Sequence, residues 1–191
     1  MSAKGLDSKV LMTATMGVVE KILANSSNLL PTASSENKEV DIVEYYGHMR
    51  AMDMNDFNSS VYIAVVNYYL TQADMQRNKT KGALILYVDM ENASKLYKAL
   101  GFSIPDDEDD GSMLDGCGQL CNLIGEALKN ELTNLGYVNL EMSGPQQYKN
   151  SVTGGVNFSL DQKKKCQFSF FYWKCKALVV EVTLADIPQK R

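Results

Sequence analysis

The chain has 191 residues, of which 45% are hydrophobic and 22% are charged. This composition is typical of a folded soluble protein and excludes general disorder, and the length predicts one domain over residues 1–191. Nineteen basic and 23 acidic residues leave a net charge of −4. A negative chain without a broad basic surface argues against nucleic acid and anionic membranes as partners.

The counts of histidine and cysteine limit the possible catalytic and metal sites. His48 is the one histidine, and no Cys, His, Asp or Glu stands near it at a metal-ligand spacing. We therefore expect an ordinary, partly exposed histidine. The four cysteines form no C-x-x-C pair and are predicted to be reduced thiols. We predict no metal site in this chain, and any catalysis has to work without imidazole.

Residues 1–7 contain no apolar core of a signal peptide, and no apolar run approaches the length of a membrane-spanning helix. These patterns predict a cytoplasmic protein. From Leu6 to about Asn25, every fourth residue is apolar, which indicates an amphipathic helix. The predicted core stripe of this helix is Leu6, Val10, Ala14, Val18 and Ile22.

Residues 26–37 are rich in Ser and Asn and contain Pro31, so we predict a loop. The β-branched and aromatic residues that follow predict three strands, at 39–46, 60–70 and 82–88. The polar residues 71–80 predict a long hairpin connection between the last two strands. A second helix follows, with Asp89 as the expected N-cap and Gly101 as the terminator.

Five consecutive acidic residues occupy positions 106–110. They predict a solvated loop entering a helix N-terminus, where the helix dipole favours negative charge; a cation site is the alternative. The third helix is predicted over residues 112–135, ended by Gly136.

Strands are then predicted at 137–142, 155–160, 166–172 and 177–184, the last two joined as a hairpin. Lys163, Lys164 and Lys165 either attract an acidic surface or protect a strand edge from pairing. The apolar hairpin is expected to be able to pair with a second copy of the chain. The order of elements predicts an α+β fold with a mainly antiparallel sheet packed against long helices.

The third helix has two contrasting faces on a helical wheel. The predicted core face contains Met113, Cys117, Leu120, Ile124, Ala127, Leu128 and Leu135. Four hydrogen-bonding side chains lie within about 60° of one another on the opposite side: Asp115, Gln119, Asn122 and Glu126. Such a row is either an ordinary solvated helix face or a recognition surface.

The spacing Asp115-x3-Gln119-x2-Asn122, followed after 22 residues by Pro145, resembles the signature of the CheC/CheX/FliY family of chemotaxis phosphatases. The family signature is Asp or Ser, three residues, Glu, two residues, Asn, and a Pro just over twenty residues later. Two longer stretches are also similar to CheX: KGALILYVDMENASKLYKALG, at 81–101, and LDGCGQLCNLIGEALKNELTNLGY, at 114–137. The sequence has one copy of the motif, as in the single-site CheX branch.

The resemblance implies a CheX-like fold and a phosphorylated CheY-type receiver domain as the partner. Asn122 is implied to position the water that hydrolyses the receiver's aspartyl phosphate, because its amide can accept from water and donate to a phosphoryl oxygen. Gln119 is the second implied catalytic residue, Asp115 and Glu126 are assigned to binding, and Pro145 to structure. No cofactor of its own is implied, since the receiver supplies magnesium and a lysine. A homodimer is implied as well.

The sequence departs from the family signature at Gln119, where the family has a Glu that is thought to pair with the receiver's lysine. Glutamine retains the hydrogen-bonding oxygen but loses the charge, which weakens that contact. One consequence is that activity is weak or lost, leaving a non-catalytic receiver-binding or chemotaxis adaptor module. The alternative is that Gln119 itself helps to orient water. The unrelated phosphatase CheZ is similar in using an acid and a Gln four residues apart on a helix. A structural part related to flagellar switch proteins is a third interpretation.

Overall fold

The computed structural model describes residues 6–105 and 108–190. Its first helix, α1, is Ser8–Ala24, and Asp7 caps it by accepting a hydrogen bond from the N–H of Lys9 (3.0 Å). The buried stripe of α1 differs by about one residue from the predicted one and contains Leu11, Ala14, Thr15, Val19 and Leu23. Thr15 can belong to the buried stripe because its hydroxyl donates to the carbonyl of Leu11 (2.7 Å).

The remaining elements form an antiparallel sheet and four more helices. The strands are β1 (Pro31–Asp41), β2 (Glu44–Tyr45), β3 (His48–Met49), β4 (Val61–Tyr69), β5 (Gly82–Asp89), β6 (Glu141–Met142), β7 (Gln146–Lys149), β8 (Lys164–Tyr172) and β9 (Cys175–Leu184). The helices are α2 (Met54–Phe57), α3 (Gln72–Gln76), α4 (Ala93–Ala99) and α5 (Asp110–Asn134). The main sheet has the order β1-β8-β9-β5-β4, and β6 and β7 both pair with β4. This architecture confirms the predicted α+β fold.

The central strands are covered on both faces. On one face, α5 packs against alternate residues of β4, among them Tyr62, Ala64, Val66 and Tyr68, while α1 packs against α5 and β8. On the other face, Val61, Ile63 and Val65 lie beneath chain segments that contribute Met49, Val156 and Phe158. Burial on both faces explains the continuous apolar runs of β4 and β5. Because α5 buries one face against the sheet, its opposite face is turned outwards.

The predicted loop at residues 26–37 is wrong from Pro31 onwards. β1 begins there and runs antiparallel to β8, with Glu36 opposite Ser169 and Val40 opposite Lys165. Its side chains are mostly exposed. This edge strand is stabilised by backbone pairing with β8 and not by side-chain burial. Its polar sequence therefore does not indicate a strand.

The predicted N-cap of the second helix is also wrong, since Asn92 precedes α4 and Asp89 ends β5. Asp89 instead accepts hydrogen bonds from Ser59 (3.1 Å) and Asn92 (2.7 Å). Gly101 does follow the helix with a positive φ of 81°, as a terminator does.

Two of the four predicted late strands differ from the structure. The strand expected at 137–142 is limited to β6, and the one expected at 155–160 is limited to an isolated bridge between Val156 and Met49. β7 was not predicted, because its four residues are mostly polar and exposed. The hairpin of β8 and β9 is confirmed, with Trp173 and Lys174 at positive φ in its turn.

The lysines at 163–165 do not protect a sheet edge, because β8 lies between β1 and β9. Lys165 is buried and forms an ion pair with Glu181 on the neighbouring strand (2.7 Å). The interior position of this hairpin also means that it cannot pair with a second copy in the way that we expected. The outer side of β1 is the unpaired long edge among the described strands.

The core face of α5 also differs in part from the prediction. Leu135 follows the helix and is 46% exposed, and Ala127 is half-buried, whereas Cys121 and Leu132 are fully buried. The buried face of α5 therefore includes Cys121 and Leu132 and does not extend to Leu135. No helix among the described residues is long and apolar enough to cross a membrane.

Candidate functional site

α5 presents a polar row along the side that faces away from the sheet. The helix begins after Asp109, whose carboxylate accepts from the N–H of Ser112 (2.7 Å). Asp115, Gln119 and Asn122 are all exposed. None of these three side chains makes a hydrogen bond to another described residue. Their hydrogen-bonding capacity is directed outwards, toward solvent or a partner.

Glu126, the fourth residue of the predicted row, differs from the other three in its burial and in having a partner. It is half-buried, and its carboxylate forms an ion pair with Lys129 one turn later (2.9 Å). Its charge is therefore compensated within α5. The carboxylate of Asp115 forms no ion pair with a described residue and is the free negative charge of the row.

The chain segment 141–149 returns along one side of α5. Met142 lies beside Gly125, where an added Cβ atom would be 2.7 Å from its sulfur. Gln147 lies against Gly118, where an added Cβ atom would overlap its side-chain amide. Pro145 lies between Met142 and Gln147 in the sequence. The interval of 22 residues in the motif spans the second half of α5 and the chain that leads back to β7.

Pro145 also lies at a break in the sheet. β6 pairs with Tyr68 and Tyr69 of β4, and β7 resumes pairing at Val65, so three residues oppose two between them. Proline has no N–H to contribute to a ladder, and it is well suited to such a bulge. The Ser143 hydroxyl accepts from the N–H of Asn67 (2.9 Å) and holds the same irregularity in place.

The opposite side of the row is bounded by α4. An added Cβ atom at Gly116 would lie 2.7 Å from the ring of Tyr97. The backbone of α5 is therefore in close contact with neighbours on both sides of the polar row.

The N-terminal end of α5 is joined to the sheet through Asp110. Its carboxylate accepts from Lys149 of β7 (2.6 Å) and from the hydroxyl of Tyr62 of β4 (2.7 Å). The hydrogen bond from Lys149 lowers the pKa of Asp110 most, and the hydrogen bond from Tyr62 lowers it further. Burial raises the pKa of Tyr62, and the hydrogen bond to Asp110 and the charge of that carboxylate raise it further. Tyr62 is therefore a neutral hydrogen-bond donor.

The other residues of the acidic run are placed as follows. Asp106 and Asp107 lie outside the described residues. Glu108 forms an ion pair with Lys98 (2.6 Å), and Asp109 is the N-cap. Among the residues that the structure describes, no group of three or more His, Cys, Asp or Glu is arranged to hold a metal ion.

The cysteines and the histidine lie away from the polar row. Cys117 and Cys121 lie on the buried face of α5, and burial raises the pKa of Cys117 to about 12 and that of Cys121 well above its usual value. Neither thiol is available as a nucleophile at neutral pH. His48 is partly exposed on β3, which covers the other face of the sheet. The groups of the row are therefore suited to hydrogen bonding and to positioning water.

Sequence reasoning did not identify Gln147, Tyr62 or Lys149 as neighbours of the row. Gln147 and Lys149 belong to β7, which has no apolar alternation. Tyr62 belongs to β4, whose sequence predicts a buried core strand. Their proximity to α5 follows from tertiary pairing, and no local sequence signal could have found it.

No family model and no curated protein matches the sequence. Several solved structures are similar to it over nearly their whole length. A CheC-like superfamily protein from Shewanella sp. PV-4 has a TM-score of 0.56 and 17% identity, covering 93% of this chain and 97% of that one. The chemotaxis protein CheX from Desulfovibrio desulfuricans has a TM-score of 0.55 and 15% identity, covering 91% and 98%.

A flagellar protein is similar to about the same degree. The FliM middle domain from Vibrio alginolyticus has a TM-score of 0.54 and 11% identity, covering 92% of both chains. Because the TM-scores of these three structures are so close, the fold alone does not indicate which of their activities this chain has. The chain has the fold of the CheC/CheX proteins, as the motif predicted, and it shares that fold with the FliM middle domain.

Proposed function

We propose that this protein binds a phosphorylated receiver domain of the CheY type and accelerates hydrolysis of its aspartyl phosphate. The observation that supports the proposal is the exposed row of Asp115, Gln119 and Asn122 on α5, in a chain with the CheC/CheX fold. Each of the three side chains lacks an internal hydrogen-bond partner among the described residues. An outward surface of this kind is well suited to a polar partner.

Hydrolysis of the receiver's aspartyl phosphate requires few catalytic groups from this chain. An aspartyl phosphate is an activated acyl phosphate, and the receiver supplies the magnesium ion and a lysine that neutralise its charge. The remaining task is to hold a water molecule in line with the phosphorus. Asn122 is the candidate for that task, since an amide oxygen accepts from water while the amide NH2 donates to a phosphoryl oxygen.

Asp115 and Gln119 are proposed to fix the docked position. Asp115 has an uncompensated carboxylate and can pair with a cation of the receiver. Gln119 can accept a hydrogen bond from the receiver's lysine but without the charge of a glutamate, so we expect a weaker contact. Glu126 is paired with Lys129 and contributes to binding only if that pair opens or is itself recognised.

A non-catalytic receiver-binding module is the second candidate, and Gln119 is the observation that favours it. If the contact between this residue and the receiver is too weak to fix the geometry of attack, the protein binds its partner without hydrolysing the phosphate. In either case we propose a cytoplasmic protein that forms a homodimer. Light scattering tests the dimer, for which the expected mass is twice the 21.2 kDa of the chain.

The test follows the decay of a phosphorylated receiver from the same organism, prepared with acetyl phosphate. We expect the wild-type protein to accelerate decay and Asn122→Ala to abolish the acceleration without unfolding the protein. Asn130→Ala is the matched control, because Asn130 is an exposed asparagine of α5 about two helical turns beyond Asn122. Equal acceleration by wild type and Asn122→Ala would refute the role of Asn122. Complex formation without acceleration would establish the binding module.

A further inference from the structure

The polar row of α5 has a gap at position 118, where glycine has no side chain. On a helix, residue 118 is a near neighbour of residues 115 and 122, with Cβ atoms about 5–6 Å apart. A side chain at 118 would therefore lie between Asp115 and Asn122, at the edge of the row that faces β7.

A residue from another element fills this gap. The side chain of Gln147 lies so close to Gly118 that an added Cβ atom would overlap Nε2 and would be 3.1 Å from Cδ and 3.3 Å from Cγ. Gln147 is exposed, and its amide makes no hydrogen bond to another described residue. It therefore adds one more free amide to the surface formed by Asp115, Gln119 and Asn122.

The sheet register explains why Gln147 points toward α5. Gln147 is opposite Ala64 of β4, whose side chain belongs to the helix-facing core, and Lys149 on the same face of β7 reaches Asp110. The preceding Gln146 is opposite Val65 and lies on the other face, where its Oε1 accepts from Tyr148 (3.1 Å). The bulge at Pro145 sets this register, since one residue more or less would exchange the two glutamines.

We infer that Gln147 is a phosphoryl-binding residue of the site, donating from its amide to a phosphoryl oxygen of the partner. The inference rests on the proposed function. A group docked over Asn122 is within one helical turn of the Gln147 amide, and the two side chains can converge on it from α5 and β7. Because a hydrogen bond to a charged phosphoryl oxygen stabilises the docked complex before any bond breaks, Gln147 acts on affinity and Asn122 acts on the rate of hydrolysis.

The test compares Gln147→Ala with Gln146→Ala, the neighbouring glutamine on the opposite face. In the decay assay, we expect Gln147→Ala to raise KM for the phosphorylated receiver about tenfold, with kcat changed less than twofold. Gln146→Ala is expected to leave both constants unchanged. Gln147→Glu keeps the length of the side chain but adds a negative charge, so we expect a larger rise in KM than for alanine.

A binding measurement gives a readout that does not depend on catalysis. Receiver loaded with magnesium and beryllofluoride, which imitates the phosphoryl group, is titrated against each variant by calorimetry. We expect Gln147→Ala to weaken binding of the loaded receiver about tenfold and to leave binding of the unloaded receiver unchanged. An unchanged Kd for the loaded receiver, or the same loss for both forms, overturns the role of Gln147.

A failure of the inference about Gln147 can be distinguished from a failure of the proposed function. If wild type accelerates decay and Asn122→Ala does not, while Gln147→Ala behaves as wild type, the proposed function stands and the inference about Gln147 is wrong. If wild type neither accelerates decay nor binds the loaded receiver, the proposed function fails and the inference fails with it.

Discussion

Lys149 of β7 donates to Asp110 in the first turn of α5, with 2.6 Å between Nζ and Oδ2. The other carboxylate oxygen accepts from Tyr62, so that one aspartate links the motif helix to two adjacent strands. The position of this carboxylate at a helix N-terminus is also favoured by the helix dipole.

The Asp110 contact predicts a dependence of stability on pH. Its pKa is lower in the folded protein, chiefly because of Lys149. Such a carboxyl group stabilises the fold above its unfolded pKa of about 3.9, and this stabilisation is lost as the pH falls through the lower folded value. We expect Asp110→Asn to lower Tm at pH 7, with the difference from wild type shrinking below about pH 4.

Thermal unfolding followed by circular dichroism between pH 7 and pH 2 measures this effect. Asp186→Asn is the control, since Asp186 is exposed and forms no ion pair with a described residue. A difference in Tm between Asp110→Asn and wild type that stays constant down to pH 2 would show that charge is not the cause.

The contact between Gly118 and Gln147 predicts that Gly118→Ala changes stability and affinity in opposite directions. Alanine in a helix interior is more stable than glycine by about 0.5–1 kcal/mol. The added methyl group displaces the end of the Gln147 side chain, which is flexible, so the helix keeps this gain while the site loses the amide. We expect a higher urea midpoint and weaker binding of the phosphorylated receiver.

Gly17→Ala is the control for this substitution, because Gly17 lies within α1 and has open space around an added Cβ atom. It is expected to stabilise the protein without changing receiver binding. Gly118→Ala with wild-type affinity would contradict the assignment of Gln147.

Gln119→Glu tests the departure from the family signature. Glutamate restores a charge-assisted contact with the receiver's lysine, so we expect equal or faster receiver dephosphorylation, measured by the same decay assay. A sharp loss of activity would instead indicate that the amide of Gln119 orients water. In that case Gln119 is a catalytic residue in its own right.

The buried ion pair of Lys165 and Glu181 predicts a large loss of stability in Lys165→Met. The two side chains are only 7% and 1% exposed, and Tyr87 and Gln167 also donate to Glu181 (2.8 and 3.0 Å). Removing one partner leaves a buried charge, for which we expect a loss of about 3–5 kcal/mol in the free energy of unfolding. Urea denaturation measures this loss.

Lys164→Met is the matched control, because the neighbouring lysine forms an exposed pair with Asp41 (3.6 Å). Its loss is expected to be below about 1 kcal/mol. The double variant Lys165→Met/Glu181→Gln is expected to recover much of the stability, since the introduced amide is neutral and still accepts from Tyr87. No recovery would indicate that packing, and not the uncompensated charge, causes the loss.

The parts of the fold that the sequence predicts are those whose own side chains determine them. β4, β5, β8 and β9 are rich in apolar and β-branched residues, and their predicted positions are close to the observed ones. The edge strand β1 and the short strand β7 are polar, and their existence depends on pairing with β8 and β4. No pattern within residues 31–38 or 146–149 contains that information.

The same distinction applies to the candidate site. The row on α5 could be predicted because helical periodicity relates Asp115, Gln119 and Asn122 through local spacing alone. Gln147 could not, because its place beside Gly118 depends on the path of the returning chain and on the bulge at Pro145. The motif proline is the one local sign of that return.

Close neighbours on both sides of the row have a consequence for complex formation. Tyr97 at Gly116 and Met142 at Gly125 pack against the backbone of α5 on the two sides of the row, so rotation of α5 about its axis would cause overlap. We therefore expect the direction of the row to be the same in the free and the bound protein, with only rotamer changes of exposed side chains on association. Slow hydrogen exchange of the α5 amides, equal in the free and bound protein, is the behaviour expected of such a preorganised surface.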